Sequence, residues 1–101
     1  MERFDIVEIR SLAGTRHAVV LQSSYYDFLA TRFLAPLHLE AEAKTIEKIT
    51  PTLDFLGAKH VIRLDLMLTA PRHIIGKTVG SARDIGLEIS MGIDRLMQGF
   101  G

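Results

Sequence analysis

The tightest constraint on this chain lies at its end, where residues 81–101 read as one amphipathic helix running to the last residue while everything before them reads as sheet. Ser81 is suited to cap the first turn and Asp84, three residues on, to reach back, a capping box with Asp in the place of Glu or Gln. Ile85, Ile89, Ile93 and Leu96 recur at spacings of four, four and three and so share one helix face. Arg83, Asp84, Glu88, Asp94 and Arg95 fall largely elsewhere, and Gly99 suits the left-handed position that ends a helix. Gly86 and Gly92 lie inside it, each at a cost of about 1 kcal/mol relative to Ala, which points to close approach between helix and sheet. Met91, Met97 and Phe100 form a solvent-side strip whose thioethers and ring suit an adaptable protein-binding surface, although Met97 can equally close the core.

At 101 residues the chain is one domain, and such a chain buries roughly 60 to 70 % of its extended surface, enough for a core without staples. The sequence has no cysteine, which excludes disulfides, thiolate metal sites and cysteine nucleophiles. Twelve basic and twelve acidic residues cancel, which argues against nucleic-acid binding through a broad basic face. Glu2, Asp5 and Glu8 interrupt the start, so no signal peptide is expected, and no apolar run approaches the ~20 residues of a membrane span. The expectation is a soluble, cytoplasmic protein.

Taken in order, Phe4 to Ile9 reads as a first strand, 10–16 around Gly14 as a turn or loop, and His17 to Gln22 as a second strand pairing back on the first. Tyr25 and Tyr26 follow, one ring suited to the core and the other to a contact surface. Arg32 to Leu39 reads as a third strand, placed at an edge or a bulge because Pro36 cannot donate a ladder hydrogen bond. Residues 40–48 have helix propensity but are too short to be stable alone. Leu53 to Leu56 reads as a short strand and Gly57-Ala58 as a turn. The strongest alternation follows, with His60, Ile62, Leu64, Leu66 and Leu68 opposed to Val61, Arg63, Asp65, Met67 and Thr69, which predicts one strand buried on one face. Pro71 ends it, Arg72 to Gly76 is a further strand, and Lys77 to Gly80 leads to the helix. The sum is a mainly β chain, a partly open antiparallel barrel over about 3–76 with one helix over about 82–98.

Catalytic signals are sparse. His17, His38, His60 and His73 are scattered, without the spacing of metal ligands, and no phosphate-binding loop or nucleophile elbow is present. No metal site, cofactor or catalytic residue is assigned. Arg63 and Asp65 read as a solvated pair.

Several stretches together resemble a known family. Leu21-Gln22-Ser23-Ser24, Thr31-Arg32, the strand through Pro36-Leu37, Ile49-Thr50-Pro51, Met67 to Pro71 and the closing helix Ala82 to Phe100 stand in the order and spacing of the CcdB toxins, over nearly the whole chain. The resemblance implies an SH3-like barrel of the CcdB/MazF type with a C-terminal helix, forming a homodimer. It implies a non-enzymatic toxin that poisons DNA gyrase through its A subunit. A cognate, CcdA-like antitoxin would neutralise it, and operator DNA would be reached only through that antitoxin. By position, Asp94, Met97, Gln98, Gly99, Phe100 and Gly101 would carry the gyrase contact, with Tyr25 and Tyr26 facing the same partner. Gln98 stands where the family pattern has Trp, which keeps a non-poisoning co-repressor homologue open. A MazF-type ribonuclease is the other alternative, with Arg10, Arg16 and His17 as its clustered candidates.

Overall fold

The structure, a computed structural model, describes every residue except Ala13, Phe100 and Gly101. Strands β1 (Asp5–Ser11) and β2 (Gly14–Val20) form an antiparallel hairpin in register from Ile6↔Val19 to Ser11↔Gly14. The segment expected as a loop is therefore sheet almost to its tip, where the Ser11 hydroxyl donates to the Gly14 carbonyl at 2.7 Å.

The third strand is the largest correction. β3 (Thr31–Leu39) sits at the centre, pairing β2 along one side and both β6 (Leu68–Pro71) and β5 (Ala58–Ile62) along the other. β6 takes residues 31–34 and β5 takes residues 37–39, so Pro36 falls in the gap between them. Its carbonyl accepts from the Arg63 N–H at 2.8 Å on that side, and the missing N–H of the same residue faces the same gap. A proline is tolerated in a central strand because the strand has a local edge there.

β4 (Thr52–Phe55) and β5 form a second hairpin, whose turn lies at Leu56 and Gly57, one residue earlier than expected, with φ of 52° and 79°. Paired left-handed residues are what a tight hairpin turn requires. The long strand expected over 60–69 does not exist. It stops at Ile62, a 3-10 turn spans Leu64–Leu66, and β6 resumes at Leu68. Leu64 is fully buried, but Leu66 and Leu68 are 44% and 42% exposed. Arg63 breaks the alternation: its backbone ends the ladder on Pro36, and its guanidinium grips Asp65 through bonds of 2.9 and 2.7 Å, closing the chain into a turn.

A 3-10 turn at Arg72–Ile74 replaces the next expected strand, and β7 (Ile75–Ser81) occupies the stretch expected to be a connection. β7 pairs antiparallel with β1, whose outer edge would otherwise be open. The result is a curled antiparallel half-barrel of strand order β4-β5-β3-β2-β1-β7, with β6 branching from β3.

A 3-10 turn at Arg83–Ile85 leads into α1 (Gly86–Gln98). α1 starts about four residues later than expected, with Ile85 at its N-cap and no side-chain cap; the Ser81 hydroxyl accepts from the Arg83 N–H at 3.2 Å ahead of the 3-10 turn rather than capping the helix, and Asp84 makes no return bond to Ser81 among the described residues. Gly92 inside α1 and Gly86 at its first position mark close approach. A Cβ on Gly92 would stand 2.7 Å from both the Ile49 carbonyl oxygen and Leu64 Cδ1, and one on Gly86 would stand 2.8 Å from the Phe4 ring. Ile89 is fully buried, Ile85 and Ile93 are half-buried, and Leu96 has emerged to 37% exposure, so the apolar stripe leaves the core in the last turn.

Two clusters flank the central strands. Ile6, Val19, Ala35, Leu37, Ile62, Leu64 and Ile89 pack beneath the helix, and Val7, Ala18, Val20, Leu34 and Ala70 pack on the opposite face. Neighbours in sequence thus bury on opposite sides, which explains why these strands read as continuous apolar runs.

Candidate partner-binding surfaces

The C-terminal turn of α1 is anchored on one side and open on the other. Arg95 Nη1 donates to the Lys48 carbonyl at 3.0 Å, holding the helix to residues 46–50. Those residues are pinned by Thr50, whose hydroxyl accepts from the Ile46 N–H at 2.7 Å. Lys48 adopts φ of 67°, a strained conformation for a long side chain. Lys48, Thr50, Pro51, Glu88, Met91 and Arg95 line a groove of about 320 Å³ along the helix. Asp94, Met97, Gln98 and Gly99 are all exposed, Met97 at 64%. Asp94 and Met97, three residues apart, project from one face. Phe100 and Gly101, named with them from the sequence, lie outside the described residues.

The second surface is the loop between β2 and β3. Tyr25 and Tyr26 are 77% and 47% exposed, so neither ring enters the core, contrary to the expectation that one would. The two rings meet edge-to-face at 5.0 Å, and Tyr26 lies 6.2 Å from the Phe28 ring. Phe28 and Leu29 are exposed as well. Arg32 keeps this apolar loop in shape from below. Its side chain is buried beside Leu34's face of the sheet and donates to the carbonyls of Leu29 (2.6 Å), Thr31 (3.0 Å) and Asp27, with the Asp27 carboxylate 3.5 Å from Nε. A guanidinium suits this work because its several N–H groups fan out in one plane.

Among the described residues no hydrogen bond, ion pair or ring contact joins Tyr25 or Tyr26 to Asp94, Met97, Gln98 or Gly99. The N-terminal amine stands 3.5 Å from Asp27, and the same segment reaches the start of the helix through Ala82 N–H to the Phe4 carbonyl (2.8 Å) and Arg83 to Asp5 (3.3 Å). The N-terminal segment thus touches both Asp27, beside the tyrosine loop, and the residues that lead into α1. Asp94 to Gln98 lie toward the other end of α1, about 12 to 18 Å along the axis from Gly86 at 1.5 Å per residue.

A third feature was only half legible in the sequence. Thr15, Arg16, His17, Leu37, His38, Leu39, Glu42 and His60 line an open cleft of about 280 Å³. Strand pairing assembles it: β5 runs beside β3 with Leu39↔His60 and His38↔Val61 in register, and β2 lies on β3's other side. Arg16 and His17 were nominated together, but His38 and His60 were not, because cross-strand register has no signature in a single chain. Arg10 and His73 do not line the cleft.

Hydrogen-bond partners select the neutral tautomer of two cleft imidazoles, His38 and His60. Arg63 Nη1, which can only donate, stands 3.3 Å from His38 Nδ1, so Nδ1 accepts and the neutral ring carries its proton on Nε2. Burial, then the charges of Arg63 and Arg16, push the His38 imidazole below its ordinary value. The paired Arg63 guanidinium holds the Asp65 carboxyl below the usual carboxylate range, and Asp65 holds Arg63 above its own. His60 is the opposite tautomer: Nδ1 stands 3.0 Å from the Ala58 carbonyl, which can only accept, leaving Nε2 of the neutral ring unprotonated. His17 and His60 both meet the Phe55 ring edge-on, at 5.1 and 5.4 Å. Among the described residues no group of three side chains could hold a metal ion, and no helix is long and apolar enough to cross a membrane.

The family model for CcdB protein matches residues 3–99. The chain belongs to the CcdB family. Solved structures agree with this CcdB fold. An endoribonuclease in complex with its cognate antitoxin from a mycobacterial species superposes with TM-score 0.78 at 9% identity, covering 98% of this chain and 96% of that one. Mycobacterium tuberculosis toxin MazF-mt6 gives 0.77 at 16% identity, over 92% and 96%. The MazE–MazF structure from Deinococcus radiodurans gives 0.74 at 18% identity, over 100% and 97%. At such identities the likeness is one of fold: the CcdB chain and the MazF-type chains share a curled barrel closed by a helix. A comparison with curated proteins finds no match to the sequence.

Proposed function

We propose that this CcdB-family chain is the toxin of a toxin–antitoxin module, and that it poisons DNA gyrase by docking the end of α1 on the gyrase A subunit, trapping the complex with cleaved DNA. Family membership and the toxin–antitoxin neighbours support the module. The observation that carries the gyrase reading is the exposed last turn, where Asp94, Met97 and Gln98 stand clear of a helix otherwise packed through Ile89 and Gly92. Met97 supplies adaptable apolar contact, Asp94 and Gln98 supply polar contacts, and Phe100 takes the aromatic part that Trp plays in the family pattern. In this reading the chain acts by binding and performs no catalysis on gyrase or DNA.

The cognate, CcdA-like antitoxin neutralises the chain and carries the operator contact of a co-repressing complex. Zero net charge fits a toxin that leaves DNA binding to its partner. The reading includes a homodimer in the cytoplasm. Tyr25 and Tyr26, exposed on the loop between β2 and β3, would meet gyrase as a second contact.

A specific observation favours one alternative. Gln98 at the position of Trp suits a co-repressor homologue that binds antitoxin and spares gyrase. A supercoiling and DNA-cleavage assay separates the two, using the purified protein and a variant lacking Phe100 and Gly101. Poisoning predicts gyrase-dependent cleaved DNA that disappears on truncation while the variant stays folded and antitoxin-bound. Failure of the folded full-length protein to affect gyrase would leave the co-repressor.

A further inference from the structure

The chain has no cysteine, and its sulfur lies in four methionines, Met1, Met67, Met91 and Met97. They are not equally open to a reagent in solution. Met97 is 64% exposed, Met91 and Met1 are 39% and 38% exposed, and Met67 is half-buried against the cluster beneath the helix. We infer that Met97 is a reversible oxidation site: a peroxide converts its thioether to the sulfoxide, which releases the gyrase A subunit, and a sulfoxide reductase restores it. The release rests on the helix-end gyrase contact proposed above; the oxidation itself does not.

In the forward step a lone pair of Met97 Sδ attacks the outer oxygen of the peroxide and the O–O bond breaks. The departing hydroxide takes the proton of the transferred hydroxyl and leaves as water. Sulfur loses two electrons and the peroxide gains them. The return step draws two electrons and two protons from a dithiol reductant, which becomes a disulfide, while the oxygen departs as water. With no thiol in the chain, a peroxide meets no internal competitor and forms no disulfide.

The place of Met97 makes its oxidation a change of surface rather than damage to the fold. Met97 stands clear in the last turn of α1, where Leu96 has also left the core, so an oxygen on Sδ displaces no packed atom. Met67 is the contrasting case, since an oxygen there would enter the apolar cluster. A helical side chain leans back over the turn before it, which for Met97 carries Asp94. The reduced thioether sets a deformable apolar contact beside that carboxylate. The sulfoxide sets a second strong acceptor there instead, and a partner surface fitted to an apolar group would have to bury an unpaired oxygen. Met91, which lines the groove with Pro51, is less open and reacts after Met97.

The test treats the full chain with hydrogen peroxide over a time course, destroys the peroxide with catalase, and scores each methionine by peptide mass spectrometry. Met97 should be converted first, about 5-fold or more faster than Met67. Purified gyrase A subunit is then added. Protein oxidised at Met97 with Met67 intact should bind it about 10-fold or more weakly. It should unfold within about 2 °C of the untreated protein, and methionine sulfoxide reductases with dithiothreitol should restore its affinity. Met97→Leu should bind equally before and after peroxide, whatever its own affinity. Equal conversion of Met97 and Met67 would overturn the site. Unaltered gyrase A binding by the Met97 sulfoxide would overturn the switch, as would an equal loss of affinity in peroxide-treated Met97→Leu. Should Met97→Leu not bind at all, the reductase decides, and affinity that stays low once the Met97 sulfoxide is gone would overturn the switch. Untreated protein that fails to bind gyrase A would contradict the gyrase contact and the release with it, while the order of oxidation still decides the site, so the two failures are distinguishable.

Discussion

Single side chains decide more of this fold than their sequence context suggests. Arg32 gave no signal beyond its place in a family pattern, yet its buried guanidinium satisfies three carbonyls of the loop that carries Tyr25 and Tyr26. Arg32→Ala strands those acceptors and removes one of the two cations beside Asp27, so it should lower stability by about 3 kcal/mol in denaturant unfolding. A cost within about 0.5 kcal/mol would place Arg32 among ordinary surface charges. His38 and Asp65 predict a pH dependence of one sign. Asp65 is depressed in the folded chain, so its stabilisation is present above its unfolded value of 3.8 and is lost as pH falls through the folded value. His38 is depressed as well, so the fold favours its neutral ring; that contribution is complete above 6.5 and is lost as pH falls below it. Urea midpoints should therefore drop between about pH 7.5 and 5, and less steeply in His38→Gln. A further drop below about pH 4.5 should be reduced in Asp65→Asn.

Elements were legible where local chemistry governs and misread where register governs. The closing helix, its end at Gly99 and the close approach at Gly86 and Gly92 followed from spacing and from what each residue can physically do, whereas the expected Ser81 cap did not: the helix opens at Gly86 behind an uncapped Ile85. The strands did not follow so well, because Pro36 was judged as if every residue of a central strand were flanked on both sides, and β3 changes partner beside it. Pro36→Ala should accordingly change stability by no more than about 1 kcal/mol, since the restored N–H faces the gap between β5 and β6 rather than a ladder partner. Gly92→Ala should be costlier, about 1–3 kcal/mol, because the added methyl group meets a backbone carbonyl and a leucine at 2.7 Å. The alternation over 60–69 misled for a related reason: hydropathy counts faces and does not register a charge pair such as Arg63–Asp65 folding the chain back. The cleft was least legible of all, since Leu39↔His60 pairing joins residues far apart in sequence.

For the whole molecule, a compact half-barrel supports three separate surfaces: an open helix end, an aromatic loop held by Arg32, and a polar cleft between strands. The family resemblance pointed to the first two, and the structure shows both exposed. Replacing Met97 and Gln98 together by Ala should abolish gyrase-dependent DNA cleavage and leave thermal unfolding within about 2 °C, because neither side chain is buried. The most direct test of the central claim is a hydrogen–deuterium exchange footprint of the protein alone and with purified gyrase A subunit. The account predicts slowed exchange in the last turn of α1, residues 94–98, with a second footprint over 25–28. Exchange unaltered at the helix end in the presence of gyrase A would contradict it.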